Sequence, residues 1–225
     1  MRAHSLAVGR EAGCEAVAFL DYDDVAKPDM LEKYTQAFAN LQTDIAYGDL
    51  ALLDADGADL GMPMFGESLP DSINSQAELY DGNMLGFSNT ALRTALLEVP
   101  DLQPPSAIVA YDWWLFTRLL ARGAKALRVT GPVAGYRLHD ANTLGSESDP
   151  SPADLLRRMK ALAAHYAAFQ GQNWAASRLS AVEAAIALLT AGQPVSEWAM
   201  QSFRGNGGPW FSRLLAGARR MAGEA

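Results

Sequence analysis

The sequence predicts an α/β protein: a mixed sheet flanked by helices, followed by an all-α C-terminal appendage. Three observations carry this reading. Ala16-Val17-Ala18-Phe19-Leu20 is a continuous apolar run that stops in three carboxylates, Asp21, Asp23 and Asp24. Such a run reads as a strand buried on both faces, as in a parallel sheet covered by helices. Between it and residue 138, short apolar segments are interspersed with stretches of helical periodicity. From residue 150 onward the segments read as helices.

The bulk numbers set the frame. A chain of 225 residues is long enough for one large domain, or one domain plus an appendage. Its 49% hydrophobic and 20% charged residues are those of an ordinary globular protein. The net charge of −8 argues against nucleic acid as a partner, because phosphate backbones are bound by clustered Lys and Arg. One cysteine, Cys14, allows no internal disulfide and suits a reducing compartment. A buried structural thiol is the expectation for it. Three His and one Cys are too few for a zinc finger. Leu6-Ala7-Val8 runs straight into Gly9-Arg10-Glu11, too short and too charged for a secretion signal. No apolar run reaches the length of a membrane span, so the expected location is cytoplasmic.

In chain order, residues 3–12 read as a short helix feeding the strand at 16–20. Pro28 and Asp29 suit the first turn of a helix over 28–41, with Leu31, Tyr34, Phe38 and Leu41 as its inward stripe. Ile45-Ala46-Tyr47 and Ala51-Leu52-Leu53 read as two strands, the second closed by the turn Asp54-Ala55-Asp56-Gly57. That turn lacks the bidentate Glu of a calcium loop. Residues 61–83, rich in Gly, Pro, Ser, Asn and Asp, read as a long functional loop. Ser88 or Asn89 is placed to cap a helix reaching Glu98, which Pro100 stops. A helix follows from Tyr111 to Gly123, then strands at 126–130 and 133–138 around Gly131-Pro132. Ser151-Pro152-Ala153-Asp154 starts the first appendage helix, whose buried side carries Leu155, Met159, Leu162, Tyr166 and Phe169. Helices at 173–191, 195–204 and 209–222 complete it. Arg204, Arg213, Arg219 and Arg220, interleaved with Trp210, Phe211, Leu214 and Leu215, make 204–222 a candidate for peripheral contact with an anionic membrane. Docking on its own domain is the alternative.

Chemistry is expected just beyond the first strand, since open α/β sheets bind ligands past the carboxyl ends of their strands. Clustered carboxylates oppose one another's ionisation, and Mg²⁺ or Mn²⁺ would relieve this while keeping room for phosphate oxygens. An acidic turn capping the next helix is the alternative.

The motifs, taken together, resemble a known family. Phe19-Leu20-Asp21-Tyr22-Asp23-Asp24, then Pro28, Tyr47-Gly48-Asp49, Asp112-Trp113-Trp114-Leu115, and Tyr136-Arg137-Leu138-His139 with Asn142 and Gly145 are similar to the family 2 inverting glycosyltransferases, nearest the bacterial rhamnosyltransferase-like branch. The likeness covers about residues 10–145. It implies a GT-A fold over 1–148 and an α-helical appendage over 149–225. It further implies sugar transfer from a UDP- or dTDP-linked donor to a glycan or lipid-linked acceptor in cell-surface polysaccharide synthesis. Asp112 would be the catalytic base. Asp23 and Asp21 would hold Mn²⁺ or Mg²⁺ and, with Arg137 and His139, bind the donor. Ser88, Asn89, Trp113 and Trp114 would face the acceptor. The chain departs from the family in one place. Family members begin with a further base-binding βαβ portion, and where many carry an Arg-Asn pair this chain has Ser5-Leu6. The implied sheet is therefore truncated: either the sequence is a piece of a longer enzyme, or a homodimer or partner chain completes the sheet. A non-catalytic relative that binds a sugar or partner is the alternative reading.

Overall fold

The computed structural model describes residues 2–139, 150–203 and 208–223, with Trp198 described by its backbone alone. Asn142, Gly145, the boundary between 148 and 149, and Arg204 fall outside them. The chain divides into two units. One comprises Met1–Leu79, Met84–Pro104 and Tyr111–His139; the other comprises Tyr80–Asn83, Pro105–Ala110 and Asp140–Ala225.

The first unit is α/β. Its elements are α1 (Arg2–Glu11), β1 (Ala16–Ala18), β2 (Val25–Ala26), α2 (Met30–Phe38), β3 (Ile45–Leu53), β4 (Asp59–Pro63), β5 (Ser72–Ile73), β6 (Thr90–Arg93), α3 (Tyr111–Ala121) and β7 (Ala126–Arg137). The strands form one mixed sheet in the order β1-β6-β3-β7-β2, with β4 joined to β3 and β5 to β7. Only β3 and β7 run parallel among the described residues.

The expected strand pairs at 45–53 and 126–138 are each one continuous strand. Every residue of β3 is buried. Continuity depends on Gly48, where a Cβ would lie 2.5 Å from Val133 Cγ1. The bend expected at Gly131-Pro132 is a bulge instead: Tyr47 faces Arg128 and Asp49 faces Pro132, so β7 carries extra residues there. Gly131 takes a φ of 71°, which a residue with a Cβ rarely adopts.

Several expectations are corrected. The first strand is not a doubly covered parallel strand. β1 stands at one end of the strand order, half-buried, and pairs antiparallel with β6. That neighbour exists because the expected helix from 88 or 89 to 98 is absent. Residues Phe87–Asn89 form a single 3₁₀ turn, β6 follows, and further 3₁₀ turns cover Thr94–Leu96 and Val99–Leu102. A segment this short satisfies helical and strand patterns alike. The side-chain hydrogen bonds of Asn89 and Thr90 to Gly86 pin the turn that launches the strand. In α2 the inward residues are Met30, Tyr34 and Ala37, packed on Ala46, Ala91, Val129 and Val133, with Phe38 partly buried against the same cluster, so Tyr34 and Phe38 of the expected stripe face inward. Leu31 and Leu41 are exposed at 63% and 85%. Cys14 is exposed rather than buried. The turn at 54–57 is as expected, with Asp54 Oδ1 accepting from the N–H groups of Asp56 and Ala58.

The second unit contains, among its described residues, α4 (Pro152–Ala167), α5 (Asn173–Thr190), α6 (Glu197–Phe203) and α7 (Ser212–Met221). The Ser151 hydroxyl caps α4 by accepting from Asp154 N. Leu155, Met159, Leu162 and Tyr166 are fully buried, as the stripe predicted. Tyr80 stacks on Trp174 with centroids 4.0 Å apart, and Arg178 pairs with Asp81 at 2.6 Å. Within 204–222, the apolar side of α7 is used internally. Leu214, Leu215 and Ala218 are buried, and a Cβ on Gly217 would meet the Phe203 ring. Among the described residues no helix is long and apolar enough to cross a membrane.

Candidate functional site

The acidic cluster is a tight turn. Asp24 N donates to Asp21 O at 3.1 Å, and Tyr22 at its tip is 95% exposed. The turn splays its carboxylates, because residues on the two sides of a turn face different neighbours. Asp21 is turned toward α1, where Arg2 Nη2 lies 2.7 Å from both of its carboxylate oxygens. Its backbone N–H donates to Ser88 Oγ at 3.0 Å, tying the turn to the 3₁₀ turn before β6. Asp23 faces the end of β7, and its Oδ2 lies 2.8 Å from His139 Nε2.

Asp24 lies beneath these. Burial raises its carboxyl to about 6, against the pull of the Ser88 hydroxyl and the Arg137 N–H, while Asp23 and Asp21 add to the rise. Its Oδ1 accepts from Arg137 N at 3.2 Å, and its Oδ2 is buried with no hydrogen-bond partner. Arg137 is occupied by the turn itself. Its guanidinium donates to Asp23 O and Ala55 O, both at 3.0 Å. It therefore fixes the loop backbone and the end of β7 in one arrangement.

Asp112 sits in the first turn of α3, where the helix dipole favours a negative charge. One of its oxygens accepts from Trp113 N at 2.8 Å. Its accessible area is intermediate, yet the surroundings are dense enough to raise its carboxyl to about 6. Arg2 and the Trp113 N–H oppose that rise, and Asp21 adds to it. Arg2 joins the two halves of the site. Burial works to lower it, but the charges of Asp21, Asp112 and Asp23 together hold its guanidinium above the ordinary value.

The structure thus gathers Asp21, Asp23, Ser88, Asp112, Arg137 and His139 in the first unit. It places three other candidates in its interior. Asn89 is fully buried and hydrogen-bonded to Gly86 N, Gly48 O and Met84 O. Trp113 is fully buried and donates its indole N–H to Leu79 O. Trp114 is 4% exposed, tilted against Tyr111 and covered by Arg118. Asp49, part of the Tyr47-Gly48-Asp49 motif, accepts from the backbone N–H groups of Leu50, Phe65 and Gly66 and so holds the 65–66 turn. Sequence reasoning missed Arg2. It lies 19 residues before its partner on a weakly patterned helix, and no spacing rule connects the two.

A divalent cation bound with a diphosphate needs only one or two protein carboxylates. Among the described residues no group of three His, Cys, Asp or Glu forms a cage. The donor set nevertheless fits the looser requirement: Asp21 and Asp23 are carboxylates on one turn, and Asp24 leaves a buried oxygen without a partner. No protein-family model matches this chain, and no curated protein is detectably similar to it.

Proposed function

We propose that the first unit is an inverting, metal-dependent glycosyltransferase domain. It would move a sugar from a UDP- or dTDP-linked donor to a glycan or lipid-linked acceptor in cell-surface polysaccharide synthesis. One observation supports the reading above the others. Residues at 21–24, 88 and 137–139 are linked by hydrogen bonds around a splayed acidic turn, and Asp112 feels the charges of Arg2 and Asp21 beside it. Asp112 is the general base. A carboxylate raised to about 6 is still ionised at neutral pH, and is a stronger base than an ordinary one. It takes the proton of the acceptor hydroxyl as that oxygen attacks the anomeric carbon. Inversion needs only this one base, on the face opposite the leaving group. Asp23 and Asp21 would hold Mn²⁺ or Mg²⁺, which neutralises the departing diphosphate when bound. His139 orients the Asp23 carboxylate, and Arg137 keeps the turn in register with β7.

Titration of UDP and dTDP into the chain, with and without Mn²⁺, tests the donor site. Metal-dependent binding that disappears in Asp23→Ala is the expected result. Asp112→Asn should then lower sugar transfer on the order of 10²–10⁴-fold while leaving UDP binding intact. Absence of nucleotide binding under every condition removes the proposal. It would favour a non-catalytic sugar- or partner-binding protein, for which one observation speaks: Asp21 and Asp23 already have partners within the chain.

A further inference from the structure

The contact between Arg2 and Asp21 has an unusual shape for an arginine–carboxylate pair. The common arrangement is a fork, with two nitrogens on two oxygens. Here a single nitrogen, Nη2, lies 2.7 Å from both Oδ1 and Oδ2. That nitrogen is equidistant from the two oxygens and close to both, so it competes with any cation that would bind them together. Arg2 is also held against the Phe87 ring, with Cζ 5.3 Å from its centroid. Its helix is anchored by Leu6, which is fully buried. The backbone of α1 is therefore fixed, while the pair it delivers stays partly open to solvent, the side chains being 42% and 34% exposed.

We infer that Arg2 is the resident counter-ion of the acidic turn, and that a divalent cation reaches Asp21 only by displacing its guanidinium. This rests on the reading of Asp21 and Asp23 as the cation-binding pair. A guanidinium and a divalent cation drawn to the same side of one carboxylate repel each other, so the nitrogen held close to both oxygens competes with a cation that would chelate them. Displacement is affordable because a partly exposed ion pair is weakly stabilised. It needs only a side-chain rotation, since α1 stays anchored through Leu6. Arg2 therefore tunes how strongly the site holds its cation, and in the cation-free chain it keeps Asp21 from repelling Asp23 and Asp112.

The test uses Mn²⁺ alone as the probe, on the full chain. Arg2→Met should bind Mn²⁺ more tightly than the wild type, on the order of fivefold, the factor matching a partly exposed ion pair. Methylguanidinium added to Arg2→Met should weaken Mn²⁺ binding again, and should change the wild type little. A second readout needs no variant. In the wild-type chain the Arg2 side-chain ¹⁵N resonance should shift on saturation with Mg²⁺, and the Arg10 resonance should not. Equal or weaker Mn²⁺ binding by Arg2→Met, or an unmoved Arg2 resonance at saturating Mg²⁺, overturns the inference while leaving the metal site standing. Absence of Mn²⁺ binding to both chains overturns the inference together with the metal reading beneath it.

Discussion

At the residue scale, the chain separates polar groups that work on a surface from polar groups that are spent inside. His165 is of the second kind. It is 2% exposed, packed against the rings of Tyr166 and Phe169, and burial lowers its pKa to about 3. The unfolded chain binds a proton at this position below about pH 6.5, and the folded chain does not until about pH 3. The contribution of this group to stability therefore falls with acid across that window, by about 1.4 kcal/mol per pH unit. His165→Phe keeps a ring and removes the titration. Urea unfolding at several pH values between 7 and 4 should show a shallower acid slope for the variant; identical slopes would mean that His165 is protonated in the fold. Asp24 and Asp112 act in the opposite sense. Their folded values of about 6 lie above the ordinary 3.8, so the fold gains from their protonation as pH falls through 6. The acidic turn at 21–24 was legible in the sequence, because carboxylates ending an apolar run are conspicuous; Asp112 and His139 were singled out by the family resemblance, and the structure places them in the same unit as that turn. Arg2 was not, because its role comes from where α1 is packed and not from any pattern in its own helix.

At the element scale, what the sequence displayed depended on how much local signal each segment carries. The start of α4 has three independent cues, Ser151, Pro152 and Asp154, and it folds as read. β6 has four residues and no cue that separates it from a helix, and it was misread. The α2 stripe was half right: Tyr34 and Phe38 pack on the core, while Leu31 and Leu41 are exposed and Met30 and Ala37 face inward, because both spacings are helical and contact with the sheet decides between them. The continuous β3 was read as two strands because Gly48 interrupts its apolar pattern. That glycine serves the sheet by its missing side chain. Gly48→Ala would place a methyl 2.5 Å from Val133 Cγ1 across the parallel pair, a clash with a buried branched side chain. The expected cost is about 1–3 kcal/mol in chemical denaturation, the usual range for overpacking a core. A double change with Val133→Ala should recover part of it if the clash is the cause, and no recovery would place the cost in the backbone of β3.

At the scale of the whole molecule, the division into two units does not follow the simple split expected near residue 148. Tyr80–Asn83 and Pro105–Ala110 belong with the helices of the second unit although the chain on either side of each belongs with the sheet. The attachment of the first is specific. Tyr80 stacks on Trp174, its carbonyl accepts from the Tyr166 hydroxyl, Asp81 pairs with Arg178, and Asn83 exchanges backbone hydrogen bonds with Trp210. Trp174 also packs on Tyr166 and Phe169, so its loss removes a large share of the contacts in that corner. Trp174 is only partly buried, so Trp174→Ala should destabilise the second unit by less than the loss of a core tryptophan, about 1–3 kcal/mol. Hydrogen exchange checks the assignment: amides in Tyr80–Asn83 and Asn173–Thr190 should lose protection together. Retained protection at 80–83 would assign that segment to the sheet instead. Both segments lie in stretches whose composition marks them as loops, and composition does not say which unit a loop packs against.

This interleaving has a consequence for the order in which the protein is made. All strands of the sheet have left the ribosome once His139 has emerged, and the sheet can close then. The two borrowed segments cannot yet settle, because their partners on α4, α5 and the stretch before α7 are still unsynthesised. At ordinary translation speeds of about 5–20 residues per second, the remaining chain takes roughly 5–15 seconds to follow. Through that interval Tyr80 waits without the Trp174 ring it stacks on and the Tyr166 hydroxyl its carbonyl accepts from.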